Sequence, residues 1–173
     1  MQTNKTEQLI KKARQREPDA FVQLMQLHMK DMYKVSLAIL MNDEDAADAI
    51  QDTILTCWEK IHTLRQMQYF HTWLTRILIN KSYDIRKKNK QMAALEVFNE
   101  PAKEDNYNLE FKEALSTLDE KYRIIMTLFY SEGYHIDEIA KMLKIPKSTV
   151  QTRLQRGREK LAKNYYGKHR KEN

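Results

Sequence analysis

Glycine and proline are scarce in this 173-residue chain, with three of each, which leaves little material for the tight hairpin turns of an all-β domain. The single cysteine, Cys57, excludes an intrachain disulfide. No run approaches the roughly 18 uncharged apolar residues that a membrane span needs. The opening MQTNKTEQLIKKARQRE also lacks the continuous apolar core of a secretory signal, so a soluble, cytoplasmic protein without membrane insertion is expected. His28, His62, His71, His135 and His169 are scattered along the chain, and there is no HExxH pattern, no cysteine pair and no glycine-rich loop to cradle phosphate. Asp48 and Asp52 lack a histidine or third carboxylate in support. An enzyme is therefore not expected, and neither is a catalytic residue, a cofactor or a metal.

What the chain has in quantity is Leu, Ile, Met, Lys, Glu and Gln, the composition of an all-α protein. A short helix is expected over Thr6 to Arg16, broken before Pro18. From Asp19 onward Phe21, Leu24, Met25, Met29, Met32, Tyr33, Leu37 and Leu40 form one apolar stripe of a long helix. Asn42 to Asp45 interrupts it with good capping chemistry. Helical spacing resumes over Ala46 to Leu64, through Ala49, Ile50, Ile54, Cys57, Trp58 and Ile61. Arg65 to Phe70 reads as a loop, and Thr72 to Lys88 as a further long helix with Trp73, Leu74, Ile77, Leu78 and Tyr83 on its apolar side. Trp73 is assigned to the core, because aromatics at helical spacing usually pack there. Asn89 to Asn108, with Pro101 and the run KEDNYN, reads as a flexible acidic linker. Two more helices follow, Leu109 to Leu118 and Glu120 to Glu132, with Thr117 and Glu120 spaced as a capping box and Gly133 as terminator.

The segment HIDEIAKMLKIPKSTVQTRLQRGREKL, His135 to Leu161, has the layout of a helix-turn-helix. Ile136, Ile139, Ala140 and Leu143 share one face of a short helix. Pro146 cannot continue that helix but suits the first turn of another, so the turn falls at Lys144 to Pro146. Val150, Leu154 and Leu161 would be the core side of the second helix, turning Ser148, Thr149, Gln151, Thr152, Gln155 and Arg156 outward, where base edges would lie. The alternative is an amphipathic helical hairpin with an ordinary solvated face. Charge separates the two: Lys144 to Lys171 holds ten Lys or Arg against one acid, Glu159, in a chain of net charge +6, the footprint of a phosphate-binding surface. Elsewhere charge is segregated too, with five acids and no base from Asp43 to Asp52 and five bases and one acid from Lys81 to Gln91. Different surfaces therefore suit different partners.

DAADAIQDTILTCWEKI, YFHTWLTRILINKSYDIRKKNK and ALSTLDEKYRIIMTLFYSEGYHIDEIAKMLKIPKSTVQTRLQRGREKL, in that order, resemble the polymerase-binding helix, the promoter-melting helix and the C-terminal reader of the extracytoplasmic function sigma factors of bacterial RNA polymerase. The resemblance spans about Leu9 to Leu161. It implies two small helical domains joined by a flexible linker: an N-terminal bundle, residues 1–88, as sigma region 2; a linker, 89–108; and a four-helix domain, 109–167, as sigma region 4. It implies as partners core RNA polymerase, through the clamp coiled coil of the largest subunit and the flap of the second, promoter DNA, and an anti-sigma factor, often membrane-bound. Asp48, Gln51 and Asp52, an acidic face opposite Ile54 and Trp58, would dock the clamp. A solvated helix start is the simpler reading of the acids at Asp43 to Asp45. Arg65, Gln66, Met67, Gln68 and Tyr69 would capture a flipped base of the minus 10 element, with Arg76, Asn80, Lys81, Arg86, Lys87 and Lys88 along the opened strand. For the minus 35 element, Ser148, Thr149, Gln151, Thr152, Gln155 and Arg156 would face bases, while Lys147, Arg153, Arg158 and Lys160 anchor phosphates. The chain departs from the family at Lys144 and Arg16, where Gly is common, at Asp52 for Glu, and at Asp119 for Pro. A response regulator with a similar reader would carry an α/β receiver domain, whereas residues 1–88 show helical periodicity and no strand runs.

Overall fold

The computed structural model describes residues 2–94 and 109–170, and all of its regular structure is helical. The chain divides into two compact units, Met1–Ala102 and Lys103–Asn173. Most of the expected linker, residues 95–108, lies outside the described residues.

The first unit contains α1 (Gln2–Arg14), α2 (Pro18–Leu40), α3 (Asp43–Lys60) and α4 (Phe70–Ala93). Two short 3-10 turns, Ile61–Thr63 and Met67–Tyr69, occupy the α3–α4 connection. Its core is Ile10, Leu24, Leu37, Ile61, Leu74, Leu78 and Ile79. The stripe expected on α2 holds in its first half, except that Met29 is exposed; from Val35 to Ile39 the helix is buried all round. Small residues make that possible. Ser36, Ala38, Ala46, Ala49, Thr53, Cys57 and Ser82 are all buried, and helices lined by small side chains approach closely. Three of the buried hydroxyls donate to carbonyls one turn back, Ser36 to Met32 at 2.8 Å, Thr53 to Ala49 at 2.6 Å and Ser82 to Leu78 at 2.8 Å, which satisfies them in the interior. Burial pushes the Cys57 thiol up to about 12, leaving it inert.

Several expected boundaries move. α1 starts before Thr6, and α4 runs to Ala93, five residues past Lys88, so Asn89 to Met92 are helical and not irregular. Asn42 caps α3 as its chemistry suggests, its side chain accepting from the Asp45 N–H at 2.9 Å. Trp73, assigned to the core, is only half-buried against Phe70, which takes the interior position instead.

The second unit contains α5 (Leu109–Ser116), α6 (Glu120–Met126) continuing into a π-helical turn (Thr127–Ser131), α7 (Ile136–Leu143) and α8 (Lys147–His169). Leu115, Leu118, Tyr122, Ile124, Ile125, Leu128, Ile139, Val150 and Leu154 form its core. The Thr117–Glu120 capping box does not form: the Thr117 hydroxyl donates back to the Ala114 carbonyl at 2.8 Å, and Asp119 caps α6 in extended conformation. A box-like closure occurs instead at α7, where the His135 N–H donates to Glu138 at 2.8 Å. On α8 the buried series is Val150, Leu154 and Gly157, while Leu161 is half-buried. A Cβ at Gly157 would lie 2.9 Å from the Met126 sulfur, so the bare backbone there lets α6 and α8 meet.

Lys144 stands in the left-handed region at φ 53°, with the Ile145 N–H bonded to the Ala140 carbonyl at 3.1 Å, the six-to-one closure usually made with glycine. A left-handed non-glycine residue costs about 1–2 kcal/mol, and glycine returns about 0.4–1 of it as lost chain entropy. Lys144→Gly is therefore expected to stabilise the helix-turn-helix by about 0.5–1 kcal/mol, read as slower hydrogen exchange of the α7 and α8 amides.

Candidate functional site

Three exposed surfaces hold the residues singled out above. On α3, Asp48, Gln51 and Asp52 are exposed and lie within one turn of each other. Two of the three earlier acids are bonded within the unit, while Glu44 is exposed: the Tyr33 hydroxyl donates to Asp43 at 2.6 Å, and Asn89 of α4 donates to Asp45 at 2.8 Å. Partial burial, opposed by the Asn89 hydrogen bond and reinforced by Asp48 and Glu44, raises the Asp45 carboxyl above its ordinary value. Leu55, three residues after Asp52, is 64% exposed on the same face. Sequence reading passed over it, although its place at i+3 and i+4 from Asp52 and Gln51 was available as a signal. The surface is thus an apolar side chain beside a carboxylate and amide cluster, the composition of a docking patch.

The second surface starts in the α3–α4 connection. Arg65, Gln66, Gln68 and Tyr69 are exposed, Tyr69 by 55%, while Met67 is half-buried. Gln68 donates to Gln66 at 3.1 Å, and the turn Met67–Tyr69 leads directly into α4. At about 100° per residue, Arg76, Asn80, Tyr83 and Lys87 share one face of α4. Arg76, Asn80 and Lys87 are exposed there. Lys81 and Lys88 sit about 80° or more round from Asn80, and Arg86 lies on the opposite flank, 5.8 Å over the Tyr83 ring. The basic run is therefore one helix turn spread over three directions, with an aromatic ring among the cations. Tyr83 is half-buried, so the exposed ring suited to stacking on an unpaired base is Tyr69.

The third surface is α8. Ser148, Gln151, Thr152, Gln155 and Arg156 are exposed and Thr149 and Arg153 half-buried, all away from Val150 and Leu154. Gln151 and Arg156 stand about 140° apart, so they bracket the outer face instead of sharing a spot. Arg156 and Arg153 border a groove with Lys121 and Tyr122 of α6. Several of these polar groups already have protein partners. Thr152 donates to the Ser148 carbonyl at 2.9 Å and Gln155 to Glu159 at 3.2 Å. Arg158 donates to the Tyr130 hydroxyl at 3.0 Å. Lys147 pairs with Asp137 and Lys160 with Asp119, each at 2.7 Å. Lys160 also lies 5.0 Å from the Tyr122 ring centre. Asp119 is lowered mainly by its hydrogen bond from Lys160, Asp137 mainly by that from Lys147, and Lys160 is raised by the same bond to Asp119. Two of the four expected phosphate anchors, Lys147 and Lys160, thus arrive as partly neutralised pairs, Arg158 is tied to a neutral hydroxyl, and Arg153 is half-buried beside the exposed Arg156.

Comparison with known proteins follows the same division. Residues 24–91 match the family model for sigma-70 region 2, and residues 108–161 that for sigma-70 region 4. Among similar proteins, the ECF RNA polymerase sigma factor SigM of Mycobacterium tuberculosis is 30% identical, covering 83% of this chain and 76% of that one. The ECF sigma factor SigW of Bacillus subtilis is 29% identical over 89% of this chain and 93% of its own. Two solved structures share the fold at a TM-score of 0.67 and 23% identity: the sigma factor RpoE of Bartonella quintana in complex with the anti-sigma factor NepR, covering 82% of this chain and 93% of that one, and CnrH in complex with the cytosolic domain of CnrY, covering 94% and 98%.

The two ion pairs make a direct test. In carboxylate-detected NMR titrations, Asp119 and Asp137 are expected to titrate below the ordinary carboxylate value, and Lys160→Met and Lys147→Met should each move the respective carboxyl back towards it.

Proposed function

Because the chain belongs to the extracytoplasmic function (ECF) group of RNA polymerase sigma factors, we propose that its exposed surfaces divide the work of promoter recognition between the two helical units. The protein is a specificity subunit and not an enzyme: it binds core RNA polymerase and promoter DNA and directs transcription initiation. The first unit, over residues 1–88, docks core polymerase and handles the minus 10 element. The second, over 109–167, reads the minus 35 element.

Docking is assigned to Asp48, Gln51 and Asp52 around Leu55. The observation that supports it is the internal capture of Asp43 and Asp45 by Tyr33 and Asn89, beside a cluster on α3 that is turned to solvent around an exposed leucine. A basic partner helix such as the clamp coiled coil gains charge complementarity at the rim and apolar burial beside it. Strand capture is assigned to Arg65 through Tyr69 with Arg76, Asn80 and Lys87. Lys81, Arg86 and Lys88 hold the backbone from the flanks. In the second unit Gln151, Thr152, Gln155 and Arg156 read bases while Lys147, Arg153, Arg158 and Lys160 position phosphates. One structure similar in fold is a sigma factor in complex with an anti-sigma factor, which supports control of this chain by an inhibitor of that class. No helix among the described residues is long and apolar enough to cross a membrane, and the protein acts in the cytoplasm, with core polymerase.

Run-off transcription with core polymerase and the full chain tests the reading: a promoter-specific transcript is expected only when both are present. Tight binding to duplex promoter DNA without core, and no transcript, would instead describe an operator-binding repressor. Asp48→Lys combined with Asp52→Lys should leave helicity and melting unchanged, because both sites are exposed, and should abolish capture of core enzyme in a pull-down.

On the upstream element, Arg156→Ala should cost holoenzyme about 1–3 kcal/mol and relax preference at one position. Lys160→Ala should change the salt slope by less than the about one unit of a free phosphate contact, because its charge is already shared with Asp119. The measurement is affinity for a panel of upstream variants at several salt concentrations.

A further inference from the structure

We propose that His28, Asp31 and His71 form a binding site for a divalent first-row transition ion that ties α2 to the first turn of α4. Each offers one ligand atom, and the three atoms lie within 4.8 Å of one another. Ligands at zinc distances of about 2.0–2.1 Å stand about 3.3 Å apart in a tetrahedron, so small side-chain rotations close the set. His28 and Asp31 are one helical turn apart on α2, which puts both on one face, and His71 is the second residue of α4.

The second observation is independent of that spacing. Neither imidazole nitrogen of His28 reaches solvent or has a hydrogen-bond partner. The ring packs against those of Phe70 and His71, each with its centroid at 5.4 Å. A histidine kept only for packing would serve as well as an aromatic hydrocarbon, and buried polar atoms normally have partners. A bound ion supplies one to an otherwise orphaned nitrogen. Asp31 and His71 are half-exposed and give the ion its way in.

Two imidazoles and one carboxylate suit borderline ions such as Zn2+, Co2+ and Ni2+ over Ca2+ or Mg2+, which prefer all-oxygen shells. Three protein ligands leave a position for water. The site sits immediately after the exposed turn Met67–Tyr69, so an occupied site holds the end of that turn to α2. This lies outside the three surfaces assigned above and stands whether or not those assignments do.

The test uses the full chain, freed of metal with chelator, and ZnCl2, NiCl2, CoCl2 or MgCl2 alone. Isothermal titration should show one Zn2+ bound, with a rise in melting temperature. Co2+ should give visible absorption bands of an imidazole-ligated ion, and MgCl2 should do nothing. His71→Ala and Asp31→Asn alter half-exposed side chains and should fold. Each should weaken Zn2+ at least about tenfold, since even outer-shell losses cost that much, and remove the thermal shift. His28→Phe fills the same aromatic slot and should fold, yet bind no ion there. No binding at 100-fold excess of ion over protein, or binding unchanged in all three variants, overturns the proposal.

Discussion

A chain with three glycines must turn its corners on residues that carry side chains. Among the described residues, four helix junctions adopt left-handed backbone, and only Gly133 (φ 73°) is a glycine; Arg16 (φ 68°), Met41 (φ 51°) and Lys144 (φ 53°) are not. The strain is offset locally. At Arg16 the Glu17 N–H closes back to Lys12 at 3.1 Å, while the guanidinium donates to the Trp58 carbonyl and covers the indole at 5.0 Å. Trp58 in turn meets Phe21 edge-on at 5.0 Å. The α1–α2 corner is thus fastened to α3 by the same residue that strains it. These corners fix where each helix starts, and with it which face turns to the core and which to a partner.

Charge is sorted by those packing choices. α3 opens on three acids, favourable to the helix dipole in any protein, but Tyr33 and Asn89 hold two of them. Of the five acids in the run, Glu44, Asp48 and Asp52 are left turned to solvent, the last two beside Leu55. On α8 the reverse sign follows the same logic, with Asp119 and Asp137 placed against Lys160 and Lys147. Two lysines of α8, Lys147 and Lys160, thereby have part of their charge met within their own unit, and Arg156 stays exposed on the outer face.

Much of this was legible in the sequence, because helical periodicity, Pro18, Pro146 and the Asn42 cap are local signals. The same locality explains the misses. The buried end of α2 defeats a one-stripe reading, since all of its faces are covered by neighbours distant in sequence. Trp73 and Phe70 are both aromatic at helical spacing, and only packing puts Phe70 inside and leaves Trp73 half-exposed. Thr117 and Glu120 have capping-box spacing, yet the Thr117 hydroxyl bonds the Ala114 carbonyl and the N-cap of α6 falls at Asp119, two residues later than that spacing suggests.

The sequence by itself determined the all-α class, the order of helices, the helix-turn-helix and the segregation of charge, since each follows from composition and from spacings of a few residues. Tertiary structure decided which charges are spent on neighbours, where Gly157 lets α6 and α8 meet, and that His28 and His71, distant in the chain, stack ring on ring with Asp31 beside them. Those facts depend on distances between separate helices. A one-dimensional pattern carries no such distance until the helices have packed.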